Sequence, residues 1–199
     1  MRRGGDAAIR AAGRFFMRDD PVHQTLHEIS RRLGDLGIPY AVVGGMALVA
    51  HGYARTTVDV DILVTPEGLD AAHRSLEGLG YVRAFSGSRS LRDTQTGVRI
   101  EFVVAGQYPG DGKPKPVAFP DPAAAATEID GLRFVKLPAL IELKLASGMT
   151  NPGRLRDLAD TQELIRVLKL PADYAEQLNP YVRAKFAELW AGVQGSDPW

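Results

Sequence analysis

The run Val58-Asp-Val-Asp-Ile-Leu-Val64 alternates apolar and acidic residues over its first five positions. Successive side chains of an extended chain point to opposite faces, so the pattern specifies a half-buried strand. Val58, Val60 and Ile62 are expected in the core, with Asp59 and Asp61 together on the other face, ~6–7 Å apart along the strand. Val98-Arg-Ile-Glu-Phe-Val-Val104 has the same period. It turns Val98, Ile100, Phe102 and Val104 inward and Glu101 outward. Laid side by side, the two strands gather three carboxylates on one patch of sheet. Such charges raise one another's pKa unless a cation neutralises them. Hard oxygen donors suit Mg²⁺ or Mn²⁺, and two ions ~3.5–4 Å apart can clamp a phosphoryl or nucleotidyl transfer. An alternating Asp strand taken alone is more often a solvated face, so the chemical reading needs a second feature.

The rest of the chain reads as an α/β half followed by a helical half. Asp20-Pro21 starts a helix with apolar residues at 22, 26, 29, 33 and 36, closed by Gly37. Tyr40–Val43 is a short strand, and Gly44-Gly45 turns it into a helix over Met46–Tyr53. Thr65-Pro66 opens a helix ending near Gly80. Tyr81–Phe85 and Ser90–Gln95 are strands, and Thr96-Gly97 is a turn before the Glu101 strand. Ala105–Pro116 holds three prolines and three glycines without periodicity and reads as a loop free to move. Asp130-Gly131 marks a hairpin between Thr127–Ile129 and Leu132–Val135. Helices then begin at Pro138, Arg156, Pro171 and Pro180, the last ending near Gly192. The expected units are 1–19 as an N-terminal arm, 20–135 as the α/β domain carrying the carboxylates, and 136–192 as a helical subdomain.

The glycine pair is the second feature. It follows a strand, opens a helix and precedes Asp59 with thirteen residues between. A strand-to-helix glycine turn is where backbone amides can receive phosphate. Together the Gly-Gly turn, the Asp-x-Asp strand and a later acidic strand resemble the DNA polymerase β-like nucleotidyltransferase superfamily. Val43 to Gly52, followed by Arg55-Thr-Thr-Val-Asp-Val-Asp61, looks closer to the abortive-infection toxin-type (AbiEii-like) branch. There an Arg-x-Thr-x-Asp-x-Asp run recurs, matched here by Arg55, Thr57, Asp59 and Asp61. Leu140–Lys144 and Arg154–Asp160 resemble that branch's helical half.

The resemblance implies a nucleotidyltransferase fold, a small mixed sheet flanked by helices with a C-terminal helical bundle. It implies transfer of a nucleoside monophosphate from an NTP to an acceptor hydroxyl, using Mg²⁺ or Mn²⁺ held by Asp59, Asp61 and Glu101. Gly44, Gly45, Arg55 and Lys144 would bind the nucleotide, and Thr57 would fix Arg55 or the strand start. The better-known members place Ser after the glycines; Met46 stands here, leaving Arg55 or Lys144 to hold the triphosphate. Lys144 lies among leucines, so its stem is expected to lie on apolar surface and to tolerate Met. Asp160 would hold Lys144 or serve the acceptor as a base. The acceptor is open between an RNA 3′ end (tRNA or another RNA), a protein and a small molecule. A toxin would have a cognate antitoxin as partner. Aminoglycoside nucleotidyltransferases share the motif logic and form a second enzyme class, and a non-catalytic binding protein on the same fold forms a third reading.

Composition narrows the field. Lys plus Arg and Asp plus Glu are both 24, so the overall field is weak and a general nucleic-acid coat is excluded. With no cysteine there is no thiol nucleophile, disulfide or thiolate metal site. The longest apolar stretch, Ile38–Ala50, is interrupted by Pro39 and the glycine pair and is too short for a membrane span. A cytoplasmic protein without membrane contact is expected. His51 reads as a packing histidine, and His23, His27 and His73 as residues of surface helices. The arginines from 2 to 18 read as a solvated arm.

Overall fold

The computed structural model describes residues 20–195; the expected N-terminal arm lies outside them. Asp20 caps α1 (Pro21–Asp35), its Oδ1 accepting from the backbone of Val22 and His23 at 2.7 and 2.9 Å. Leu26, Ile29 and Leu33 bury one stripe of that helix, at the predicted spacing. The chain then runs through β1 (Tyr40–Val43), α2 (Gly44–Ala50), β2 (Asp59–Val64), α3 (Pro66–Leu76), β3 (Tyr81–Arg83), β4 (Leu91–Asp93) and β5 (Arg99–Val104). A short α4 (Pro122–Ala125), capped by Asp121 and unmarked by any periodicity, leads into the hairpin β6 (Ala126–Ile129) and β7 (Leu132–Val135). At its tip Asp130 and Gly131 both have positive φ, 51° and 77°, as a two-residue hairpin turn demands.

The strands form one mixed seven-stranded sheet, ordered β3-β4-β5-β2-β1-β7-β6. Its centre positions the site. β2 lies antiparallel to β1 and parallel to β5, with Val43 and Glu101 both opposite Asp61. Helices α5 (Leu137–Thr150), α6 (Leu155–Leu168) and α7 (Pro180–Gly195) follow. Leu140, Ile141, Leu164, Val182 and Phe186 join sheet residues such as Val42, Ile62 and Ile100 in one apolar core.

Four expectations are corrected. Val58 is 82 % exposed, because β2 begins one residue later, at Asp59, and Val58 still belongs to the approach loop. Pro171 opens a 3₁₀ turn (Ala172–Gln177) rather than an α-helix. His23 and His73 are buried: His23 Nδ1 lies 3.2 Å from Asp20 Oδ2, and His73 Nε2 lies 3.2 Å from the Arg89 carbonyl. The segment after β5 is strapped down rather than free. Lys115 Nζ donates to the Pro109 carbonyl (2.6 Å) and ion-pairs with Asp111, Asn151 Nδ2 donates to the Gly110 carbonyl (3.2 Å), and Asn179 Nδ2 to that of Pro116 (3.2 Å). Gly110, at φ 77°, sits so close to α5 that a Cβ would lie 2.8 Å from the Ser147 carbonyl.

Candidate active site

Parallel pairing of β2 with β5 brings the three carboxylates together. One oxygen each of Asp59, Asp61 and Glu101 lies within 4.8 Å of the others. They form the floor of a cleft of about 530 Å³ between the sheet and helices α5 and α6. Burial, then the charges of Asp59 and Glu101, push the Asp61 carboxyl up to about 7, while Lys144 and Arg154 pull the other way. Three converging carboxylates, one of them raised by burial and by the other two, form a hard-oxygen donor set that a divalent cation fits. The Glu101 side chain is 42 % exposed, and Arg99, on the same strand face, ion-pairs with it at 2.8 Å.

Local geometry explains both glycines. Gly44 takes φ 62°, and a Cβ there would lie 1.8 Å from Asp61 Oδ2. A Cβ on Gly45 would lie 2.7 Å from Thr57 Oγ1. The pair thus lets the start of α2 press against the acidic strand. Thr57 Oγ1 donates to Asp59 Oδ1 at 3.0 Å, so it orients a carboxylate rather than Arg55. His51 Nε2 lies 2.8 Å from the Val135 carbonyl and ties the end of α2 to β7, away from the acidic floor.

Arg55, Lys144 and Asp160 line the cleft, yet their charged ends meet one another. Arg55 Nη1 donates to both Asp160 oxygens (2.8 and 2.7 Å). Lys144 Nζ donates to Asp157 Oδ1 (2.8 Å) and Asp160 Oδ2 (2.7 Å). Ser147 Oγ donates to Asp157 Oδ2 at 2.7 Å. Burial pushes the Asp157 carboxyl up, but Lys144, Ser147 and Arg154 outweigh it and hold it below the ordinary value. Asp160 is buried and shared between Arg55 and Lys144, so it holds Lys144, the first of the two roles expected of it. The network stitches the loop before β2 to α5 and α6. Sequence reading missed Ser147, which carries no periodic signal. It also missed the Arg99–Glu101 pair, which period two would have exposed.

A mixed sheet presenting a carboxylate triad to a cleft closed by helices defines the nucleotidyltransferase class of fold. The chain belongs to the family of uncharacterised nucleotidyltransferases, whose pattern matches residues 10–187, and is an enzyme of that class. Solved structures share the fold. The antibiotic-resistance factor ANT(2'')-Ia, crystallised with adenylyl-2''-tobramycin, is 16% identical with a TM-score of 0.55, over 83% of this chain and 96% of that one. Its solution structure is 17% identical with a TM-score of 0.54, over 84% and 92%. A Thermotoga maritima protein described provisionally as a nucleotidyltransferase is 18% identical with a TM-score of 0.50, over 69% and 91%. No curated protein matches the chain. Among the described residues no helix is long and apolar enough to cross a membrane.

Proposed function

We propose that the protein transfers a nucleoside monophosphate from an NTP to an acceptor hydroxyl, with Asp59, Asp61 and Glu101 as the ligands of Mg²⁺ or Mn²⁺. The observation that carries this is the convergence of those three side chains on adjacent parallel strands, within 4.8 Å. The acceptor oxygen forms a bond to the α-phosphorus, the bond to the bridging oxygen breaks, and pyrophosphate leaves. Divalent ions supply charge neutralisation and activation of the attacking oxygen when bound. Asp59, oriented by Thr57, and Asp61, backed by Gly44, would hold those ions beside the reacting phosphate. Glu101, at the solvent-facing side, takes up the acceptor proton. Gly44 and Gly45 let the phosphates approach the backbone beside Asp61. Arg55, Lys144 and Asp160 build the opposite wall and hold it against the sheet.

The likeness of Arg55, Thr57, Asp59 and Asp61 to abortive-infection toxins favours an RNA acceptor and a toxin role with an antitoxin partner. The fold shared with ANT(2'')-Ia supports a small-molecule acceptor as the second reading. An NTP labelled at the α-phosphate, offered with tRNA, total protein or tobramycin, separates them. Label should pass to tRNA with wild-type protein and not with Asp61→Asn. Label passing to tobramycin alone establishes the second reading, and no transfer to any of the three contradicts both.

A further inference from the structure

A nucleoside triphosphate carries about four negative charges, and its phosphates need donors that are not already engaged. Resting on the transfer reading above, the cleft offers few. Met46, after the glycine pair, is buried in the core and has no hydroxyl to give. Arg55 and Lys144 are matched, two cations against two carboxylates, by Asp157 and Asp160. Ser147 spends its proton on Asp157. The cations left on the cleft wall are Arg154 and Arg156, at the junction of the 3₁₀ turn Pro152–Arg154 with α6.

Both present usable donors. Arg154 engages through Nε alone, at 3.3 Å from Ser147 Oγ and 3.3 Å from Asp157 Oδ2, and its side chain is 60% exposed. Its terminal nitrogens donate no hydrogen bond to any described residue. Arg156 is exposed, and its side chain makes no hydrogen bond or ion pair with any described residue. The pair shares its cleft with Asp59, Asp61 and Glu101. A guanidinium offers planar forked donors that match phosphate oxygens two at a time. We infer that Arg154 and Arg156 are the residues that grip the triphosphate, taking the place of the hydroxyl that Met46 lacks. Arg55 and Lys144 hold the wall behind them.

Calorimetric titration of the full chain with each of the four common NTPs, and with inorganic tripolyphosphate, all with Mn²⁺, tests this. Arg154→Gln and Arg156→Gln should each weaken NTP binding by about threefold to tenfold, and the double variant by more than tenfold. Tripolyphosphate should lose affinity in parallel, and Arg156→Lys should recover only part of it. Urea midpoints should stay near wild type, since both side chains are exposed. Wild-type affinity for NTP in the double variant overturns the assignment and leaves the transfer reading standing. So does a double variant that keeps NTP affinity but loses RNA binding, which would put the arginines on the acceptor side. Failure of the wild-type protein to bind any NTP overturns the transfer reading itself, and the assignment with it.

Discussion

Gly44 and Asp61 are in such close approach that the glycine's missing side chain makes room for the carboxylate: a Cβ would lie 1.8 Å from Asp61 Oδ2 and 2.7 Å from its Cγ. The φ of 62° at Gly44 adds a second reason for glycine. Gly44→Ala should therefore cost about 2–4 kcal/mol, from left-handed strain plus displacement of Asp61. Urea unfolding checks the cost. In a double-mutant cycle with Asp61→Ala, part of it should vanish, because the clash goes and only the backbone strain stays. Strictly additive losses would mean that the two residues do not press on each other.

Lys144 is a second place where burial decides the outcome. The residue is only 8% exposed, and its ammonium sits between Asp157 and Asp160. From the sequence, a lysine among leucines should tolerate Met; the structure reverses that expectation. Lys144→Met leaves buried Asp160 and half-buried Asp157 each short of a partner and should cost about 3–5 kcal/mol. Equilibrium unfolding of Lys144→Met beside Arg156→Gln, which should cost less than about 0.5 kcal/mol, makes the contrast.

The fold was legible wherever one period governed a stretch. β2 and β5 declared themselves by alternation, α1 by its cap and its apolar stripe, and the β6–β7 turn by Asp130-Gly131. The convergence of Asp59, Asp61 and Glu101 followed once β2 and β5 were laid side by side, though nothing local showed that they pair. Contacts between distant segments were not legible. Arg55 meets Asp160 across 105 residues, so no window of sequence could show its charge already matched. The strap after β5 was misread for the same reason: its composition says loop, while Asn151 and Asn179 pin it from beyond α5 and α6 and Lys115 ties it from within.

Asp61 also sets a pH dependence. With its carboxyl raised from 3.8 to about 7, the folded protein keeps a proton that the unfolded chain has released. Between those values the folded state binds more protons, so this group's contribution to stability falls as pH rises through the window. In the absence of divalent ions, Asp61→Asn should gain stability over wild type as pH goes from 5 to 8, by ~1 kcal/mol or more. Metal must displace the same proton, so Mn²⁺ affinity should climb steeply up to about pH 7 and level off above it. Thermal melts across pH with and without Mn²⁺ read both effects. A constant difference between the two proteins from pH 5 to 8 would remove Asp61 as the titrating group.

The most direct measurement is calorimetric binding of Mn²⁺ with NTP to wild type and to Asp61→Asn at pH 8. Wild type should bind the nucleotide only when the metal is present, and the pair should raise its melting temperature by several degrees. Asp61→Asn should fold at least as well as wild type without metal, since it removes one of three repelling charges, yet lose metal-dependent NTP binding by about a hundredfold or more. Equal metal-dependent affinity in the two proteins, or nucleotide binding by wild type that ignores the metal, would contradict a metal centre built on Asp59, Asp61 and Glu101.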